Sequence, residues 1–355
     1  MNQRTSIRVV RSLGEVALSA ARQLRILDDR SRIESTDAEV IIPLTREPTE
    51  DELVSLKQNI TRLTISNYSF RRRKFRASNL VEAVDDKLPS HMLGAIPRSY
   101  DIIGDIAILE MPEGLLPYGH IIGEALMQLI PHVKTVMAKA GPVTNTYRIR
   151  IYNVLAGERS TLAQHSESGC IFRVDPCKAY FSPRLSFERR RIAANVRPGE
   201  ILVDMFAGVG PFSIIVSKLG NPAKVYAVDI NPEAASFMLQ NVLINRLRGR
   251  ISVVLADIRG TSARLLSNYA DRVIMNLPTE SIAFIPQACS LLKHEGGIIH
   301  FYTFVSEQLS HEAIIENLKE KIESASRNVV EILVIRTVKG IAPREMQLAI
   351  DVRIA

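Results

Sequence analysis

Residues 204–213 read Asp-Met-Phe-Ala-Gly-Val-Gly-Pro-Phe-Ser, and the apolar run Ile201-Leu202-Val203 feeds straight into them. This order spells a buried strand, a tight turn and a helix start. Gly208 and Gly210 let the backbone turn sharply and approach a ligand with no Cβ in the way. Pro211 suits the first turn of a helix, where its missing N–H is no loss. Such a turn sets backbone amides at the carboxyl end of a strand, where open α/β sheets bind their ligands. A dinucleotide fingerprint needs a third glycine, but Phe212 and Ser213 follow instead. The loop therefore points away from NAD and toward S-adenosylmethionine (SAM), with Asp204, Phe206, Gly208 and Gly210 as candidate contacts.

From Ser186 onward the pattern is strictly β/α. Strands are expected at Ile201–Ala207, Lys224–Ile230, Ser252–Ala256, Asp271–Leu277, Gly297–Thr303, Val329–Val338 and Met346–Ile354, with helices between the first six. Only the short turn 339–343 joins the last two, so they must form an antiparallel hairpin. Five parallel strands closed by such a hairpin make the Rossmann-like sheet of class I SAM-dependent methyltransferases. Asp229 ends the second strand, 19 residues after Gly210, where a carboxylate can accept both ribose hydroxyls of an adenosine. Asp257 ends the third and can accept from the adenine amino group, with Phe206 and Ile230 as apolar neighbours. Asp229 could instead merely cap the helix beginning at Pro232, and Asp257 could be an exposed turn residue.

Upstream, residues 13–27 have helical spacing and Val40–Leu44 reads as a short strand. Thr49-Glu50-Asp51-Glu52 opens a further helix as a capping box. Residues 1–76 carry 15 Lys+Arg against 10 Asp+Glu, which supplies +5 of the chain's formal +7. Arginine dominates the excess and Arg71-Arg72-Arg73 is its densest run, a candidate phosphate contact or simply a solvated linker. The middle of the chain reads as strands (Ile106–Glu110, Val133–Lys139, Tyr147–Leu155, then a hairpin over Thr161–Glu167 and Cys170–Asp175) around a helix at His120–Ile130. Three cysteines make no disulfide framework, no metal site is expected, and no apolar stretch approaches a membrane span. A cytoplasmic protein is expected.

The fourth strand ends in Asn276-Leu277-Pro278. Enzymes that methylate exocyclic amines carry Asn/Asp-Pro-Pro-aromatic there. Leu277 and Thr279 break that pattern and favour a ring nitrogen that bears a proton. Such chemistry needs a base for the proton and a donor for the charge that develops on the ring oxygen. Glu188, at the start of the helix before the glycine turn, is the candidate base; the plainer alternative is a surface acid paired with Arg191 or Arg184. Arg148 is the candidate oxygen partner, with Arg150 as the fallback.

Asp175–Arg189 (Asp-Pro-Cys-Lys-Ala-Tyr-Phe-Ser-Pro-Arg-Leu-Ser-Phe-Glu-Arg), the glycine turn and Asn-Leu-Pro occur in that order, and the chain resembles the archaeal and eukaryotic tRNA (guanine-37-N1) methyltransferases over nearly its whole length. The resemblance implies three parts: a small N-terminal α/β domain and basic linker (1–76) docking on the outer corner of tRNA, a strand-rich middle domain (77–180), and a SAM-binding methyltransferase domain (181–355). It places the base on Glu188, the oxyanion partner on Arg148, and the loop contacts on Asn276 and Pro278. Tyr180 and Arg184 would shape the site for the anticodon loop. Phe187 and Arg190, flanking Glu188, depart from the smaller or apolar residues expected there. A monomer would suffice. Three rivals stand beside this reading: a wyosine-pathway enzyme acting on the same position (C7 methylation or aminocarboxypropyl transfer), a SAM-sensing RNA-binding protein without catalysis, and a small-molecule methyltransferase.

Overall fold

The computed structural model describes residues 2–71, 77–141, 147–260, 264–306, 308–342 and 344–355 of the chain. They fall into two compact units, 1–78 and 79–355. In the first, strands β1 (Asn2–Val10), β2 (Glu34–Ser35), β3 (Glu39–Pro43) and β4 (Leu63–Phe70) form an antiparallel sheet in the order β2-β3-β1-β4. Ile7 and Val9 of β1 and Ile42 of β3 pack on Ala17 and Ala21 of helix α1 (Gly14–Gln23) and on Leu56 of α2 (Glu50–Asn59). The Thr49–Glu52 capping box is present. Strands β1 and β4 were not expected. Arginines and serines alternate with their apolar residues, as in strands that bury one face only.

The second unit begins with α3 (Leu80–Val84) and a four-stranded sheet ordered as β5 (Tyr100–Ile103), β6 (Ile106–Leu109), β7 (Thr135–Lys139) and β8 (Tyr152–Gly157), with α4 (Gly119–Leu129) packed on it. Strand β8 starts five residues later than the alternation at 147–155 suggests. Arg148 has φ 57°, a left-handed backbone that cannot continue a strand. A hairpin follows, β9 (Ala163–Glu167) and β10 (Cys170–Val174).

The central sheet has seven strands: β11 (Ile201–Asp204), β12 (Lys224–Asp229), β13 (Ile251–Leu255), β14 (Arg272–Met275), β15 (Gly297–Ser306), β16 (Val329–Ala342) and β17 (Glu345–Ile354), in the order β13-β12-β11-β14-β15-β17-β16. The first five pair in parallel and β17 runs antiparallel between β15 and β16. This is the expected Rossmann-like sheet with its closing hairpin. Its crossovers carry α6 (Pro211–Leu219), α7 (Pro232–Ile244), α8 (Ile285–Leu291) and α9 (His311–Ser324), and α5 (Ser186–Asn195) precedes β11. Between β13 and β14 the described residues hold only one helical turn, at 264–265. Alternate strand residues feed opposite cores: Leu202, Val225 and Ile274 on one face, Val203, Val228 and Val273 on the other. Among the described residues no helix is long and apolar enough to cross a membrane.

Two asparagines one turn apart on α7 fasten the β9–β10 hairpin. Asn245 Oδ1 accepts from the Ile171 amide at 2.9 Å and its Nδ2 donates to the Ile171 carbonyl at 2.7 Å. Asn241 repeats this on Arg173, at 2.7 and 3.1 Å, and also donates to the Val209 carbonyl in the glycine turn. The helix thus imitates a neighbouring strand, because the i,i+4 rise roughly matches two strand residues. Asn241→Ala should cost about 2–3 kcal/mol in urea unfolding, since it strands a buried amide and two carbonyls. A loss under ~0.5 kcal/mol would mean that the hairpin is held elsewhere.

Asp204 is fully buried. It accepts from the Ser213 hydroxyl at 2.7 Å, and burial pushes its carboxyl up to about 7. The folded state therefore holds this proton more tightly than the unfolded chain. The resulting stability is full below the unfolded value and fades as pH rises toward 7. Asp204→Asn should gain stability relative to the parent between pH 5 and pH 8. Chemical denaturation at both pH values reads this, and equal differences at the two would refute it.

Candidate active site

A cavity of about 380 Å³ opens at the carboxyl ends of β11, β12 and β14, within the size range of small-molecule sites. It sits at the strand-order switch, since β11 pairs with β12 on one side and β14 on the other. The chain leaves β11 through an irregular turn. The Ala207 amide donates to the Val228 carbonyl at 2.9 Å, and the Gly210 amide closes the turn on the Ala207 carbonyl at 2.9 Å. Gly208 (φ 57°) borders the cavity, and its amide donates to Asp229 Oδ2 at 2.6 Å. Gly210 (φ 87°) does not line the cavity; a Cβ there would meet Met238 Cγ at 2.9 Å. Its absence of side chain serves packing on α7. Asp204 likewise lies behind the wall, holding Ser213. Both depart from the expected cofactor contacts for the same reason: they shape the turn from within.

Asp229 and Ile230 line the cavity where expected. The second Asp229 oxygen accepts from the Asn231 amide at 2.8 Å, and burial raises the carboxyl. Each oxygen keeps a lone pair beyond its amide bond, so the group can still accept a hydroxyl. Asp257 also lines the cavity. Arg259 pairs with it at 2.6 Å and holds it below its ordinary value. Between these acids runs an apolar wall containing Phe206, Ala256, Ile258 and Phe284; Phe206 meets Phe284 edge-on at 5.0 Å. A slot with aromatic walls and an acid at each end fits an adenosine.

The other end of the cavity carries the expected chemistry-bearing groups. Arg148, Tyr180, Asn276 and Pro278 all line it. Arg148 donates to Thr279 Oγ1 at 2.7 Å, and burial lowers its guanidinium. Asn276 Oδ1 accepts from Gln347 at 3.4 Å, and the Pro278 carbonyl accepts from the Phe304 amide at 3.2 Å. These bonds tie the Asn-Leu-Pro loop to β15 and β17. Thr279, where the amine-methylating pattern has an aromatic, is the anchor for Arg148. Gln347, Phe304 and Glu280 also line the cavity and were not anticipated. Gln347 carried one signal, a polar residue inside the apolar run of the last strand.

Glu188 is not among the lining residues, a correction to the expected placement. It is 1% exposed and belongs to an ion cluster. Its Oε2 accepts from Arg191 at 2.9 Å and Tyr302 at 3.0 Å, and Oε1 lies 2.7 Å from Arg336. It pairs with Arg191, as in the plainer alternative, but it is buried and not a surface acid. Leu185 and Arg189, at i and i+4, face the cavity. Glu188 is turned about 100° from Arg189 around the helix and faces β15. Arg189 itself is buried against Phe181 and Phe212 and donates to Glu167 at 2.5 Å.

Arg184 lies in an adjoining cavity of about 250 Å³, bound to Asp101 at 2.6 Å. Arg150, the fallback for Arg148, is there too and donates to the Gly141 carbonyl. Arg71 is exposed on the first unit; Arg72 and Arg73 lie outside the described residues.

Residues 163–333 match the TRM5/TYW2 methyltransferase domain, and residues 80–161 match the TYW2 N-terminal domain. The tRNA (guanine(37)-N(1))-methyltransferase Trm5b of Pyrococcus abyssi is 37% identical over 268 residues, 76% of this chain and 78% of that one. The tRNA(Phe) (4-demethylwyosine(37)-C(7)) aminocarboxypropyltransferase of Pyrococcus horikoshii is 32% identical over 273 residues, 77% of this chain and 95% of that one. Among solved structures, the complex of aTrm5 and tRNALeu is similar with a TM-score of 0.72 at 32% identity, covering 99% of both chains. With its sheet order, its glycine turn and an adenosine-shaped cavity at the switch point, this chain belongs to the TRM5/TYW2 family of SAM-dependent methyltransferases.

Proposed function

We propose that the chain methylates N1 of guanosine 37 in tRNA. The observation that carries this reading is the cavity itself: an adenosine slot ending at Asp229 runs into a polar end where Arg148 and Asn276 converge. SAM supplies an electrophilic methyl group on a sulfonium. Asp229 and Asp257 would hold its adenosine hydroxyls and amino group, with Phe206 and Ile230 beside the base. Arg148 meets the negative charge that grows on O6 as the N1 proton leaves. Asn276 and Pro278 position the ring edge. Position 37 lies in the anticodon loop, where an unpaired base turns out of its stack at low cost.

Glu188 takes the proton in this reading. Its carboxyl lies behind the wall formed by Leu185 and Arg189, and its Oε1 has no aligned hydrogen bond. Reaching N1 requires that oxygen to leave Arg336 and turn into the cavity as the base enters. The basic first unit, with Arg71, is assigned to the tRNA body through phosphate contacts. The adjoining cavity adds Arg150, Arg184 and Lys339 to the path of the loop.

A second reading is favoured by the similarity to the Pyrococcus horikoshii aminocarboxypropyltransferase. That chemistry acts on carbon and has no N1 proton to remove. Incubating transcripts bearing guanosine or adenosine at position 37, and tRNA bearing 4-demethylwyosine there, with SAM, then weighing the nucleosides, separates the two. A mass gain of one methyl on guanosine alone supports N1 methylation; a gain of the aminocarboxypropyl group on a tricyclic substrate overturns it. Glu188→Gln should lower single-turnover methylation by about 10²-fold or more, with SAM affinity unchanged. Full turnover would remove Glu188 from the reaction. Asp229→Ala should instead weaken SAM binding by about tenfold or more in calorimetric titration, through loss of charge-assisted hydrogen bonds.

A further inference from the structure

Thr279 breaks the loop pattern of amine-methylating enzymes without itself lining the cavity, although Pro278 and Glu280 on either side of it do. The stretch around it is held firmly. The Pro278 carbonyl takes the Phe304 amide, and the Leu277 carbonyl takes the Glu280 and Ser281 amides, both at 2.9 Å. The Ser281 hydroxyl donates to the Met275 carbonyl at 3.0 Å. On this fixed backbone Thr279 Oγ1 accepts from Arg148 at 2.7 Å. Arg148 borders both the main cavity and the adjoining one. The two acids of the adjoining cavity are already paired, Asp101 with Arg184 at 2.6 Å and Glu110 with Lys139 at 2.8 Å. Glu280, next to Thr279, favours the charged guanidinium from a distance. Among the described residues no ion pair joins Glu280 to Arg148.

Resting on the function proposed above, we propose that Thr279 is a positioning residue whose hydroxyl aims the Arg148 guanidinium into the main cavity, where the ring oxygen of the base gains charge. A neutral acceptor suits this task. A hydroxyl fixes one N–H of the guanidinium and leaves its positive charge uncompensated, with further N–H groups open to the oxygen. A carboxylate in the same place would neutralise the guanidinium before the substrate arrived and weaken its pull on the developing oxyanion. The bond also settles a long side chain in one rotamer ahead of the base, which removes an ordering cost from the reaction. The left-handed backbone at Arg148 sets the same direction from the other end of the side chain. Where amine-methylating enzymes present an aromatic ring to the base, this loop position acts on the base through Arg148.

Single-turnover methylation of the guanosine-37 transcript, at saturating SAM and enzyme, tests this. Thr279→Val keeps the shape and removes the acceptor, so the rate should fall about tenfold, the usual cost of losing a hydrogen bond to a charged group. Dissociation constants for SAM and for tRNA should stay within about twofold, since the contact is made to neither. Thr279→Ser should restore the rate to within about twofold of the parent. Arg148→Ala should lose about 10²-fold or more. Thr279→Val on that background should lose nothing further, because a residue that acts only through Arg148 then has nothing to position. Thr279→Ala, expected to match Thr279→Val, replaces it should valine disturb the loop. Parental turnover in the Thr279 variants, or a further loss of about tenfold in the double variant, overturns the proposal, while the loss in Arg148→Ala keeps the oxygen partner. Full turnover in Arg148→Ala overturns both.

Discussion

One hydrogen bond organises the binding half of this molecule: the Gly208 amide on the Asp229 carboxylate, at 2.6 Å. It ties the turn after β11 to the end of β12, so the two loops that border the cavity cannot separate. The second Asp229 oxygen takes the Asn231 amide, and Asn231 in turn caps α7. A carboxylate with two backbone donors stays oriented despite a burial that raises its proton affinity. Asn241, on the helix that Asn231 starts, then reaches both the Val209 carbonyl and β10. The turn, Asp229 and the hairpin form one connected frame.

The reacting half depends on a different device. Arg148 comes from a loop between β7 and β8, Asn276 from the loop after β14, and Gln347 from the last strand. No secondary structure element carries two of them. They meet because the Asn-Leu-Pro loop is tied to β15 and β17, and because the left-handed backbone at Arg148 turns its chain toward Thr279. A non-glycine residue in that region costs of order 1 kcal/mol and persists only when its surroundings require it. The strain sits at the group assigned to the developing oxyanion, where a fixed direction matters most.

The parallel sheet and its closing hairpin were legible because strand length, helix spacing and a five-residue final turn leave few topologies. Asp229, Asp257, Asn276 and Pro278 were legible as cavity-lining residues because each ends a strand or follows one within three residues, and strand ends in such a sheet surround the ligand. Three things were not. Strands β1 and β4 interleave apolar residues with polar ones (arginine in β1; serine, threonine and asparagine in β4), so no apolar run marks them. The Asn241 and Asn245 pair looks like any polar helix surface until the neighbouring strand is known. The placement of Glu188 outside the cavity lining was not legible because spacing along the chain places a residue near a site without saying which side of the helix faces it. Leu185 and Arg189 share the stripe that meets the cavity, while Glu188 and Arg191 share the next one.

Burying Glu188 and Asp351 with Arg191 takes charges out of water, which costs several kcal/mol for each before pairing recovers it. Hydrophobic residues of similar volume would suit stability at least as well. A cluster that joins α5, β15, β16 and β17 and ends one residue behind the cavity wall is therefore poorly explained as scaffolding. It holds the Glu188 carboxyl out of water beside the cavity without opening it to that cavity. On the function proposed above, the concealment of Glu188 keeps the proton acceptor away from water until a base has entered the cavity.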